Sequence, residues 1–158
     1  MIIVADSSPL IALGRIGRLD LLHSIFGKLL IPEAVWREVV EAGINRLGAA
    51  EVADSGWIER RAVQDTLMVA LLRHDLGAGE SEAIVLARET NADFILMDER
   101  LGRSAARSLG IKPVGIVGVL IEARERGLLS DAGLIVDQLH HEAGFWLSED
   151  LRKLITGN

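Results

Sequence analysis

The sequence predicts an α/β domain built on a parallel sheet, and three observations carry that prediction. Short apolar runs alternate along the chain with longer segments of helical spacing, the pattern of strands linked by crossover helices. The runs at residues 2–5, 94–97 and 114–117 have no polar alternation, as befits strands buried on both faces. Hydrophobic residues make up 49% of the 158 residues, enough for a core of ordinary size in one domain spanning residues 1–158. The chain carries no internal repeat, low-complexity tract or linker.

Each element follows in order. Ile2 to Ala5 read as a buried strand. Pro9 to Leu22 carry Leu10, Leu13, Ile16 and Leu21 at helical spacing, and Gly17 predicts a break. Lys28 to Ile31 form a second strand. Pro32 suits the first turn of a helix, and Glu33 suits its positive end. That helix runs to about Glu41 and stops at Gly43. Gly48 to Ser55 suggest a short helix, Trp57 to Val63 a strand, and Gln64 to Arg73 are ambiguous. Leu76 to Gly79 form a loop before a strong helix from Glu80 to Glu89. Phe94 to Met97 make a buried strand, Leu101 to Leu109 a helix closed by Gly110, and Val114 to Val117 a further strand. Gly118 to Arg126, Asp131 to His141 and Glu149 to Ile155 read as helices, the last capped by Ser148.

Composition excludes several classes. The chain has no cysteine, which removes disulfides, thiol catalysis and cysteine-held metals and fits a reducing cytosol. No basic region precedes the first apolar run, so it is not a signal peptide. No apolar run reaches the roughly 20 residues of a membrane span. The net charge of −6 argues against a general nucleic-acid coat but not against a local basic track.

The informative residues are acids. In open parallel sheets ligands bind beyond the carboxyl ends of the strands, and Asp6 and Asp98 each follow a strand directly. Taken alone, either could cap a helix or begin a turn. Glu38 lies on the apolar stripe of its helix, where a carboxylate is costly without a partner. Glu80 begins a stripe continued by Ala83, Ile84 and Ala87, and an acid in a first turn also stabilises its helix by about 0.3–1 kcal/mol. Glu82 points about 200° away from Glu80 on helical geometry. Together the four acids lie at two strand ends and on two helix faces turned toward the sheet. Such a cluster needs cations, because neighbouring carboxylates repel. Oxygen donors without histidine suit Mg²⁺ or Mn²⁺. Such ions polarise phosphoryl oxygens and lower the pKa of water, which suits phosphodiester hydrolysis.

These residues resemble a known family. The opening run Val4-Ala5-Asp6-Ser7-Ser8-Pro9-Leu10 resembles the first acidic motif of the PIN domain. "IPEAVWREV" resembles the second, and "GAGESEAIVLARETNADFILMDERLGRSAARSLG" the third and fourth. Asp6, Glu38, Glu80 and Asp98 stand in the acidic places. The PIN domain is a metal-dependent ribonuclease fold related to the FEN and RNase H-like nucleases. The stretch from Asp6 to Leu13, "GESEAI" and the "DER-GR" run look like a largely uncharacterised prokaryotic PIN subfamily related to VapC-type toxins. The likeness extends to about Leu129. It implies a three-layer α/β/α sandwich with a central parallel sheet. It also implies a cytoplasmic endoribonuclease, the toxin of a toxin–antitoxin pair, holding Mg²⁺ or Mn²⁺ on those four acids, with RNA as substrate and an antitoxin protein as partner. Glu82 competes with Glu80 for the third acidic place, and Glu99, directly after Asp98, is a further candidate acid of such a site. The third acid of many PIN domains is Asp where this chain has Glu80 with Glu82 nearby, and Leu96 stands where the fourth motif often carries Thr or Ser. In this light Asp6 ends its strand because the site needs a rigidly held oxygen there. Ser7 and Ser8 can bond backbone groups or a metal-bound water at the turn.

Other features are read beside these. Arg100, Arg103 and Arg107 form one helical stripe, either a phosphate track for RNA or a solvated face. The four histidines sit in no triad context, and Trp36 and Trp57 suit core or interface. The helices from about residue 130 and the apolar "GFWL" at 144–147 suggest an oligomerisation or partner-binding extension and a homodimer. Two rivals remain: a PIN-fold module that binds RNA or protein with weak or no nuclease activity, and a domain that binds a nucleotide through the Gly77–Gly79 loop.

Overall fold

The computed structural model describes residues 1–157. The chain enters its sheet at once with β1, Ile3–Ala5, and passes through α1, Ser7–Arg15, and α2, Asp20–Phe26. Gly17 takes a left-handed φ of +69° between them, so the expected break falls where glycine permits it. Next come β2, Leu29–Ile31, and α3, Glu33–Trp36. The helix then continues as a π turn over Arg37–Glu41, in which Ala42 N donates to Arg37 O at 2.7 Å. No periodicity in the sequence announces that wider turn. After α4, Ala49–Asp54, and β3, Ile58–Arg60, the ambiguous stretch resolves into α5, Thr66–Leu72. The chain then forms α6, Ala78–Glu89, β4, Phe94–Leu96, and α7, Arg100–Ser108. It closes with β5, Pro113–Val114, α8, Ile116–Glu125, α9, Ala132–Ala143, and α10, Glu149–Thr156.

Two strand expectations are corrected. The run at 114–117 is a strand only at Pro113–Val114, and Ile116 and Val117 already belong to α8. A short apolar run reads alike as a buried strand or as the start of a buried helix. The run at 57–63 is a strand only over Ile58–Arg60.

The sheet has five strands, all parallel, in the order β3-β2-β1-β4-β5. Strand order therefore reverses between β1 and β4, whose register pairs Ile3 with Phe94, Val4 with Ile95 and Ala5 with Leu96. Side chains alternate between the faces. Ile3, Ala5, Leu29, Ile31 and Leu96 face a core shared with Leu13 of α1, Leu22 of α2, Leu120 of α8, Leu139 of α9 and Ile155 of α10. Val4, Leu30, Ile95 and Met97 face the second core, filled by Ala83, Ile84 and Leu86 of α6 and Ala106 of α7. Helices thus cover both faces of the sheet, giving the three-layer sandwich expected from the sequence. Among the described residues no helix is long and apolar enough to cross a membrane.

Candidate active site

The site begins where β1 stops. The amide of Asp6 makes the last rung between β1 and β4, donating to Leu96 O at 2.9 Å. By alternation its side chain follows Val4 toward the α6 side of the sheet, and it is only 2% exposed. Asp6 occupies the N-cap position of α1 but makes no capping bond. Burial raises its carboxyl from 3.8 to about 7, and the charges of Glu80 and Glu38 push the same way against hydrogen bonding from Ser7. The charges that raise it are thus carboxylates of its own sign.

Glu38 reaches this point from the π turn. Ser7 Oγ donates to its Oε2 at 2.5 Å, and the amide of Gly79, in the first turn of α6, donates to its Oε1 at 3.0 Å. A β-carbon on Gly79 would stand 2.7 Å from Glu38 Oε2, so glycine makes room for the carboxylate. Glu80 is the next residue. Its Oε1 accepts from the amide of Gly77 at 3.3 Å, and its Oε2 is buried with no hydrogen-bond partner. Burial raises Glu80 above the ordinary carboxylate range, opposed by the Gly77 bond and aided by Glu99 and Glu38. Gly102 of α7 leaves the space that Glu80 fills, since a β-carbon there would lie 2.9 Å from Glu80 Oε2.

Asp98 stands apart from this group. With Ala5 paired to Leu96, Met97 lies level with Asp6, and Asp98 falls on the opposite face of the alternation. Its Oδ1 accepts from the amide of Ile116 at 3.0 Å, so it caps α8, and its Oδ2 is buried without a partner. Burial raises its carboxyl, while the bond from Ile116 and the charge of Arg103 lower it. The four acids thus share one sheet edge but divide into Asp6, Glu38 and Glu80 on one side and Asp98 on the other. None of the four joins an ion pair among the described residues.

The remaining candidates disperse. Glu82 turns away, accepting from the amide of Ala34 at 3.1 Å and pairing with Arg37 at 3.7 Å. Glu99 is exposed and acts on Glu80 only through its charge. Arg103 is half-buried and donates to Met97 O at 2.9 Å, whereas Arg100 and Arg107 are exposed. His23 stacks on Trp57, and Arg60 lies over Trp36, so both tryptophans serve packing. The glycine amides that a nucleotide phosphate would need are already held, Gly77 by Glu80 and Gly79 by Glu38. Sequence reasoning missed the bond from Ser7 to Glu38, having paired the Ser7 hydroxyl with backbone or water. It also missed Gly79 as a donor, for which the Gly-Glu step before the helix was the one available signal.

The comparisons with known proteins bear on this edge. A family profile described as PIN domain matches residues 2–157. The chain belongs to the PIN domain family. Its fold is similar to that of a PilT N-terminus domain protein from the hyperthermophilic archaeon Sulfolobus solfataricus P2. The TM-score is 0.54 at 21% identity, over 78% of this chain and 93% of that one. No curated protein matches the chain. The PIN domain is generally a nuclease fold, and its members typically use divalent metal ions.

The donor chemistry here fits such an ion. Every candidate donor is a carboxylate oxygen, two of those oxygens are buried without partners, and burial among like charges disfavours the ionised state of Asp6 and Glu80. As the side chains stand, no three acids among the described residues come close enough to share one ion.

Proposed function

We propose that this PIN domain is a cytosolic Mg²⁺- or Mn²⁺-dependent endoribonuclease and acts as the toxin of a toxin–antitoxin pair. The observation that carries the reading is Asp6. It is a buried carboxylate at the switch point of a parallel sheet, and the charges raising it belong to two more carboxylates. An arrangement that disfavours its own ionisation is stabilised by a bound cation. Asp6, Glu38, Glu80 and Asp98 would hold it, their side chains drawing together from the separated positions they take without the ion. A divalent ion supplies phosphoryl polarisation and lowers the pKa of water.

The chain itself does the rest. The Leu96 bond fixes Asp6 at the strand end, and Ser7 and Gly79 orient Glu38. The exposed Arg100 and Arg107, outside every ion pair among the described residues, would meet the phosphates of RNA, with Arg103 nearest the acids. The test is cleavage of end-labelled RNA in EDTA and across a Mn²⁺ titration, by wild type and Asp6→Asn. Cleavage is expected only with metal and only by wild type. Equal cleavage in EDTA would overturn the reading. Growth arrest on expression, relieved by Asp6→Asn and by a co-expressed product of a neighbouring gene, would support the toxin role.

A second reading is a PIN module that binds RNA or protein and cleaves weakly or not at all. Two observations favour it: both oxygens of Glu38 already have donors, and Leu96 offers no hydroxyl to the site. RNA retained by the protein but left intact at saturating Mn²⁺ would select it.

A further inference from the structure

We propose that Glu82 is a positioning residue: it forms half of a crossed clamp between α6 and the α3–π segment, and through that clamp it sets Glu38. This inference rests on the nuclease reading for its consequence, but not for its geometry.

The clamp is reciprocal. Glu82 projects from α6 and accepts from the amide of Ala34, in the opening turn of α3, at 3.1 Å. Glu38 projects from the π turn and accepts from the amide of Gly79, in the opening turn of α6, at 3.0 Å. Each helical segment thus supplies the acid that satisfies an orphan amide of the other. A carboxylate bond to a backbone amide is charge-assisted and stronger than a neutral one. The other oxygen of Glu82 pairs with Arg37 at 3.7 Å. Glu82 therefore holds Ala34 and Arg37, and Arg37 directly precedes Glu38 in the turn that delivers it.

Burial agrees with this assignment. The Glu82 side chain is only 15% exposed, whereas its partner Arg37 is 55% exposed. The contact to the buried amide is the one that lacks a substitute from water. Glu82 does not act on Asp6 through its charge, as Glu80 and Glu38 do. The acid that sequence alone could not separate from Glu80 has a different task. Glu80 enters the acid group, and Glu82 keeps a second member of that group in place.

The chemistry predicts which substitutions matter. Glutamine keeps an oxygen that can accept from Ala34, and alanine does not. The experiment is hydrogen exchange of residues 33–41 in wild type, Glu82→Gln and Glu82→Ala without metal, followed by cleavage kinetics and Mn²⁺ calorimetry on the same proteins. In Glu82→Ala, amide exchange over 33–41 is expected to quicken by about tenfold or more, as loss of a charge-assisted bond implies. kcat should fall by about tenfold, with KM held within about twofold, because the substrate contacts are untouched. Glu82→Gln should recover most of both. Unchanged exchange in the alanine variant would overturn the clamp. A glutamine variant that loses Mn²⁺ as fully as Glu80→Gln would make Glu82 a ligand instead and overturn the positioning role. A wild type that neither binds Mn²⁺ nor cleaves would sink the nuclease reading alone, because exchange reads the clamp without metal or RNA.

Discussion

Asp6 and Asp98 end neighbouring strands and look equivalent in sequence, and burial raises both carboxyls, yet their partners differ. Asp6 holds its proton more tightly in the fold than in the unfolded chain. Its protonation stabilises the fold fully below 3.8, and that contribution is lost as pH rises through about 7. At about 1.4 kcal/mol per tenfold change in proton affinity, the loss is on the order of 4 kcal/mol. In EDTA, Asp6→Asn should therefore melt higher than wild type near neutral pH, with the gap closing toward pH 4. Millimolar Mn²⁺ should shrink or reverse the gap, since wild type alone gains full metal-linked stability. Matched melts at all pH values would remove Asp6 from any charged cluster. Asp98 is held differently, by the amide of Ile116. Asp98→Asn keeps a carbonyl acceptor for that amide. Asp98→Ala does not, and should cost about 1 kcal/mol more in metal-free melts, the worth of a helix cap. Equal melting of the two variants would count against the capping role.

Elements carry the next effect. Gly102 sits inside α7, where alanine normally stabilises a helix by about 1 kcal/mol. Here the added carbon would meet Met97 Sδ at 2.6 Å and Glu80 Oε2 at 2.9 Å. Both are flexible ends that can swing aside, so Gly102→Ala should change the melting temperature little while weakening Mn²⁺ binding several-fold, on the scale of a displaced ligand shell. Calorimetry showing wild-type affinity would argue that Glu80 is not a ligand. Much of this level was legible in the sequence. Uniformly apolar runs marked β1, β2 and β4, and Asp6 and Asp98 at strand ends marked the edge. The division between them was not legible, because it depends on the register of Ala5 against Leu96, and pairing register leaves no mark in either run alone. The true start of α8 was hidden for a related reason. Its amide is satisfied by Asp98, 18 residues earlier in the chain.

At the scale of the whole molecule the C-terminal segment turns apolar side chains outward, as do Ile44, Leu47, Leu67 and Leu71 elsewhere. Trp146 is 73% exposed, Leu154 57% and Leu134 53%, a large apolar display for a chain of net charge −6. Phe145 and Leu147 pack against the core on either side of Trp146, so the loop is anchored with its largest side chain outward. A homodimer that covers Trp146 is expected. Light scattering at micromolar concentration should give twice the monomer mass for wild type and the monomer mass for Trp146→Ser. A wild-type monomer would leave the patch to a different partner.

The π turn at Arg37–Glu41 also has a genetic reading. It contains one residue more than an α-helix needs for the same rise, so a single codon separates the two forms. Removing Val40 would let the segment close as ordinary helix while leaving both cores their main contributors. Residues on either side of the deletion would keep nearly their present phase, and only the turn that carries Glu38 would be rebuilt. Gly43, where an added carbon would collide with Val39 O, would lose the close approach that only glycine allows. The shortened protein should still fold by circular dichroism yet fail to cleave. In a helix of this kind a lost codon rebuilds one turn and leaves the rest pointing as before.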